Sequence, residues 1–213
     1  MPFTLNRKIN NSMIGTWKLE EPVDVLLKKV ALIPEDLEVF QKIKIEERKK
    51  QWLAVRVMLN RLMQAPKAAA IIYDDYKKPL VKDSDYKISI SHSHDYAALI
   101  IDRYSETGID IELIKPTVQK IAHKFLSDSE MKNINTTNAI DQMYVYWCAK
   151  EALYKLYGKK ELDFKKNLMV HNFKYENKGT ITAQIIKGTF HKTYNLWYEK
   201  MDNYMLVYVI NKI

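Results

Sequence analysis

At 213 residues with 47% hydrophobic side chains, the chain can bury an ordinary core as one large domain or two small ones, and its 5 Gly and 6 Pro exclude a linker-rich chain. Its single cysteine, Cys148, excludes an intrachain disulfide and a multi-cysteine zinc site, and suits a reducing compartment. A net charge of +8, from 34 Lys+Arg against 26 Asp+Glu, draws anionic partners without choosing among nucleic acid, membrane, phosphorylated cofactor and acidic protein.

Along the chain, residues 1–8 are broken by polar and charged side chains before a signal-peptide core could form, and no later stretch approaches membrane-span length. The expectation is a cytoplasmic protein. Residues 15–19 read as a strand, and Pro34, Glu35 and Asp36 open a helix, since proline and acids suit a first turn. Glu46 to Met63 is the clearest long helix, with Trp52, Val55, Leu59 and Leu62 at helical spacing. Arg48 and Arg56, eight residues apart on it, project within about one quadrant and predict a basic strip.

Residues 87–91 alternate as a half-buried strand and 96–101 form a continuous apolar one, with 92–95 as the connecting turn. A third strand over 108–113 follows a polar turn, which predicts an antiparallel meander. Pro116 marks a break, 118–126 read as a helix, and Ser127 with Glu130 has capping-box spacing for the next one. Residues 141–157 are helical and stop at Gly158. Alternation over 180–187, 193–199 and 204–211 predicts three more antiparallel strands, and the fold class is α+β.

In the third strand, alternation sends Asp110 and Glu112 to one face while Ile109, Ile111 and Leu113 take the other. Two adjacent carboxylates repel unless solvent, a shared proton or a hard cation such as magnesium relieves them, and a solvated edge strand is the bland alternative. On the helix ending at Gly158, Glu151 and Lys155 are one turn apart, which alone is a common surface pair. Lys150 beside them is open to holding Glu151, holding a phosphate, or simple solvation. His92 and His94 form H-x-H, which could begin a zinc site only if both lay on one strand. Cys148 reads as a packing residue, and Tyr144, Tyr146, Tyr154 and Tyr157 as core and wall side chains rather than base-stacking platforms. Lys159, Lys160, Lys165 and Lys166 could meet an acidic helix of a partner, or water.

Taken together, Gly108-Ile109-Asp110-Ile111-Glu112 and Trp147 through Lys150-Glu151 to Lys155 resemble the paired motifs G-x-D-x-E and W-x-x-K-E-x-x-x-K of the surfactin-type 4'-phosphopantetheinyl transferases. Residues 121–127 with Glu130, Lys78-Pro79-Leu80, Ser91-His92-Ser93 and the stretch from Arg48 to Arg56 agree with it, so the resemblance covers roughly residues 14–170. It implies two similar α/β-sandwich halves related by a pseudo-twofold, residues 1–104 and 105–213, with the active site in the cleft between them. Each half would have a small antiparallel sheet and packed helices, and a monomer would suffice.

The same resemblance implies transfer of the 4'-phosphopantetheine group of coenzyme A to a serine of an apo carrier protein, with release of adenosine 3',5'-bisphosphate. Asp110, Glu112 and Glu151 would hold Mg2+; Glu151, Lys155 and Asp110 would be catalytic, with Glu151 the candidate general base. Arg48, Arg56, Lys78, Ser91, His92 and Lys155 would bind coenzyme A. The carrier would be acidic and transient, with no nucleic acid and no membrane among the partners. A basic nucleic-acid-binding protein without catalysis is the alternative, and it would not need the carboxylates.

Overall fold

The computed structural model describes residues 3–64 and 68–212. They divide into two compact units, one extending to Glu106 and the other from Thr107 to Asn211.

The first unit starts with β1 (Phe3–Ile9) and β2 (Ser12–Lys18), a hairpin that the sequence reading found only in its second strand. Two short helices follow, α1 (Val23–Leu27) and α2 (Pro34–Lys42), then α3 (Glu46–Met63), whose bounds match the periodicity. Gln64 caps α3 in the left-handed region at φ +50°. The remaining strands are β3 (Ile71–Tyr73), β4 (Pro79–Val81), β5 (Lys87–Ser93) and β6 (Tyr96–Asp102). They complete a six-stranded antiparallel sheet in the order β1-β2-β6-β5-β4-β3. Helix α3 covers it, burying Leu53, Ala54, Val57, Met58 and Leu59 with Trp17, Leu99 and Ile101. That burial explains why a segment with five basic side chains still forms one long helix: packing of its apolar positions outweighs its polar ones.

The second unit opens with β7 (Ser105–Leu113), followed by α4 (Val118–Phe125), α5 (Asp128–Lys132), a 3-10 turn at Thr136–Asn138, and α6 (Ala139–Tyr157). Gly158, at φ +69°, ends α6 as the sequence predicts. Strands β8 (Leu168–Val170), β9 (Lys178–Lys187), β10 (Phe190–Met201) and β11 (Tyr204–Lys212) follow, giving a five-stranded sheet in the order β7-β11-β10-β9-β8. Here α6 is the covering helix, with Val145, Ala149, Ala152 and Leu153 packed against Ala183, Leu196, Met205 and Val207. The class is α+β, two antiparallel sheets each carrying a long helix.

Two expectations are corrected. Strand β7 does not extend the meander of β5 and β6; it sits beside β11 in the other sheet. The Asp102 carboxylate ends β6 by accepting from the backbone N–H of Tyr104 and Ser105 at 2.6 and 2.9 Å, with Ser12 Oγ bonded to its other oxygen. Alternation identified β7 as a strand but carries no information about its neighbour. The β5–β6 turn is also shorter than predicted, because His92 and Ser93 still pair with Ala97 and Tyr96. Only His94 and Asp95 turn, His94 at φ +46°, which breaks the period-two relation that a zinc-binding H-x-H pair would need.

Candidate active site

The acidic cluster begins with a glycine. A Cβ on Gly108 would stand 2.0 Å from the carbonyl oxygen of Ala152, so only glycine lets β7 press this closely onto α6. That approach delivers Asp110, two residues on, to Lys155, one turn beyond Glu151. Lys155 Nζ donates to Asp110 Oδ1 at 2.7 Å and to the Ile109 carbonyl oxygen at 3.0 Å. Asp110 is 2% exposed, whereas Glu112, Glu151 and Lys155 are partly open to solvent.

The α6 face turned to β7 carries Tyr144, Cys148, Glu151 and Lys155, at helical spacing. Burial, followed by the charge of Asp110 and with that of Glu112 adding, pushes Glu151 up to about 7, against a downward pull from Lys155. Burial, with Asp110 and Glu112 adding to it, holds the Cys148 thiol well above its ordinary value, and its Sγ donates to the Met205 carbonyl oxygen at 3.7 Å. Cys148 is thus a protonated packing residue. The Tyr144 hydroxyl accepts from Lys115 N–H at 3.2 Å and is also raised by burial.

Lys150 is neither solvated nor directed at Glu151. Fully buried, its Nζ donates to the carbonyl oxygens of Phe125 and Phe164 at 2.7 and 2.8 Å and to Glu130 Oε2 at 2.7 Å. Glu130 in turn accepts from the backbone N–H of Ser127 at 2.7 Å, closing the capping box, and of Val170 at 2.8 Å. One cation thereby ties the end of α4, the start of α5, the loop after α6 and β8 to the turn of α6 that carries Glu151. The rings of Phe125 and Phe164 flank Trp147 at 5.0 and 5.7 Å. Helical spacing in the sequence shows that Lys150 and Glu151 point different ways, but not which is buried.

In the first unit, Arg48 and His92 meet, with Arg48 Nη1 2.9 Å from His92 Nε2. Both are exposed, and both line a cavity of about 290 Å3. Ser91 is buried on β5 opposite Ala98. Lys78 Nζ donates to Glu106 Oε2 at 2.6 Å. The predicted basic strip does not form. Arg56 is 3% exposed, its Nε and Nη2 donate to Asp36 Oδ1 at 3.1 and 2.8 Å, and its guanidinium lies over Trp52. The quadrant that Arg48 and Arg56 share is exposed at one end of α3 and covered by α2 at the other.

Among the described residues, no three His, Cys, Asp or Glu side chains are gathered closely enough to hold a metal ion by themselves. The donor set nevertheless fits a hard cation. Asp110, Glu112 and Glu151 offer only oxygen, and, after burial, the upward push on Glu151 comes from the charges of Asp110 and Glu112, a repulsion that a cation would relieve.

A family model described as the 4'-phosphopantetheinyl transferase superfamily matches residues 106–209. The chain is 29% identical over 117 residues to the 4'-phosphopantetheinyl transferase AcpT of Escherichia coli O157:H7, covering 52% of this chain and 59% of that protein. The AcpT of Salmonella typhimurium gives the same identity over the same length, covering 60% of that protein. The 4'-phosphopantetheinyl transferase psf-1 of Bacillus pumilus is 36% identical over 86 residues, 38% of this chain and 36% of its own. The match to the two AcpT proteins spans about three-fifths of their length.

Proposed function

We infer that this chain, which belongs through residues 106–209 to the 4'-phosphopantetheinyl transferase superfamily, moves the 4'-phosphopantetheine group of coenzyme A onto a serine of an apo acyl or peptidyl carrier protein, in the manner of a holo-[acyl-carrier-protein] synthase. The observation that carries the reading is the pressing of β7 onto α6 at Gly108, which sets Asp110 against Lys155 and beside Glu151.

Asp110, Glu112 and Glu151 would hold Mg2+, which when bound supplies positive charge to the diphosphate and to the leaving adenosine 3',5'-bisphosphate. Magnesium takes few protein carboxylates when substrate phosphates supply the other oxygens, which accords with a donor set that is not closed on its own. Lys155 Nζ, held by Asp110 and the Ile109 carbonyl, stands ready to donate to a phosphate oxygen. Glu151 is the base for the attacking serine hydroxyl, directly or through water. A carboxylate beside the bound metal is placed to accept that proton. The serine oxygen attacks the β-phosphate as its proton passes to Glu151, and the bond to the bridging oxygen of the diphosphate breaks. The net positive charge suits both an anionic nucleotide and an acidic carrier.

The test is intact-mass spectrometry of a panel of apo carrier proteins incubated with the chain, coenzyme A and magnesium, with an EDTA arm. The expected result is a metal-dependent gain of one phosphopantetheine, about 340 Da, on the carrier serine, absent with Asp110→Ala. Absence of the gain across the panel, with folded chain that binds coenzyme A, would sink the reading for those carriers. Binding to nucleic acid that survives Asp110→Ala, with no coenzyme A binding, would favour the non-catalytic alternative.

A further inference from the structure

The cavity in the first unit combines buried Val55 and half-buried Trp52 and Ile90 with exposed Tyr73, Arg48 and His92. Arg48 donates to Gln51 Oε1 at 3.3 Å and meets the His92 ring at 2.9 Å, and no carboxylate pairs with it among the described residues. Its charge is therefore open to an anion. Trp52 is distinguished from the other lining side chains by how it is held. The guanidinium carbon of Arg56 lies 3.2 Å from the indole centroid, and the Phe40 ring packs at 5.6 Å. Behind the guanidinium, the ion pair to Asp36 is buried on both sides.

A buried pair of this kind adds little net stability compared with apolar side chains of the same volume, because desolvation of both charges offsets their attraction. What it supplies is a fixed position. Here the group fixed is the indole, which has Arg56 over one face and the Phe40 ring beside it, and which lines the cavity. An immobilised aromatic ring beside an uncompensated cation is the chemistry that receives a planar base carrying phosphate.

We propose that Trp52 is the stacking platform for the base of the coenzyme A nucleotide, and so a specificity-determining residue, and that the buried Arg56–Asp36 pair is its positioning device. The proposal rests on coenzyme A being the donor. It moves Arg56 from a phosphate contact to a support behind the ring, and leaves the phosphate to Arg48 and His92.

The test titrates adenosine 3',5'-bisphosphate, which carries base and phosphates but no pantetheine arm, into the full chain by calorimetry and tryptophan fluorescence. Trp52→Leu weakens binding about 5- to 150-fold, the range of one lost base–aromatic stack, while Trp52→Phe keeps it within about threefold. Affinity for 4'-phosphopantetheine, which has no base, is unchanged in both. Because Arg56→Met alone would strand Asp36, the positioning arm uses Arg56→Met/Asp36→Asn. That variant still melts cooperatively, binds the nucleotide more weakly, and shifts the Trp52 emission obtained by difference against Trp52→Phe. Nucleotide affinity unchanged in Trp52→Leu, or affinity and emission both unchanged in the double variant, overturns the proposal, as does a parent chain that does not bind the nucleotide. A parent that binds it through Trp52 yet modifies no carrier refutes the transfer reading and leaves the platform standing. Transfer undiminished by Trp52→Leu at low coenzyme A does the reverse.

Discussion

Glu151 illustrates how a side chain can serve a site at the expense of the fold. Its carboxyl ionises at an ordinary 4.5 in the unfolded chain but holds its proton to about 7 in the folded one, because burial and Asp110 disfavour the anion. The folded state therefore binds more protons across that window, and stability falls as pH rises from about 4.5 to 7 and stays reduced above it. In metal-free buffer, Glu151→Gln should match the parent near pH 4.5 and exceed it by about 1–3 kcal/mol at pH 8, the upper end reduced by the group's partial exposure. Urea titrations at pH 4.5, 6 and 8 check this, and a gap independent of pH would contradict the environment assigned to Glu151. The same substitution should abolish transfer at every pH.

At the scale of elements, the contact of β7 with α6 and the anchoring of α6 by Lys150 decide the site. Gly108→Ala drives a methyl into the Ala152 carbonyl, and backbone at both ends leaves no side chain to yield. Overpacking of this kind costs about 1–3 kcal/mol and sometimes more, so the thermal midpoint should drop and transfer should fall as the two elements separate. An unchanged midpoint would mean that the contact is looser than described. For the buried pair, Lys150→Met leaves Glu130 charged and stranded, at a cost of about 3–5 kcal/mol. Lys150→Met/Glu130→Gln should recover part of that loss, since no charge is left stranded and the Gln oxygen can still accept from the backbone of Ser127 or of Val170, though not from both. A double variant as unstable as the sum of the singles would show that the two side chains act independently.

For the whole molecule, charge is the property that no single element carries. The chain is +8, and Lys159, Lys160, Lys165 and Lys166 are all exposed in the second unit. If the carrier is acidic, kcat/KM for it should fall about tenfold between 50 and 300 mM salt, with kcat and the thermal midpoint nearly constant, because screening slows steered encounter more than it alters buried contacts. Stopped-assay kinetics over a salt series measure this, and a flat profile would remove charge steering from the account of partner choice. No helix among the described residues is long and apolar enough to cross a membrane.

The periodicities of the sequence determined where α3, α6, β5, β6 and the last three strands lie, because repeats of 3.6 and 2 record which side of an element is buried. They also determined the caps at Ser127 and Gly158, whose chemistry is local. The short strands β3, β4 and β8 were illegible, since three residues hold too little pattern to count. At the site, the spacing put Asp110 beside Glu112 and Glu151 a turn from Lys155, and the resemblance supplied their joint meaning. Only the tertiary structure decided that β7 pairs beside β11, that Lys150 is a buried anchor, and that Arg56 stands behind Trp52 rather than in solvent. Those facts depend on which surface covers a residue from far along the chain, and a pattern that reports burial does not report what does the burying.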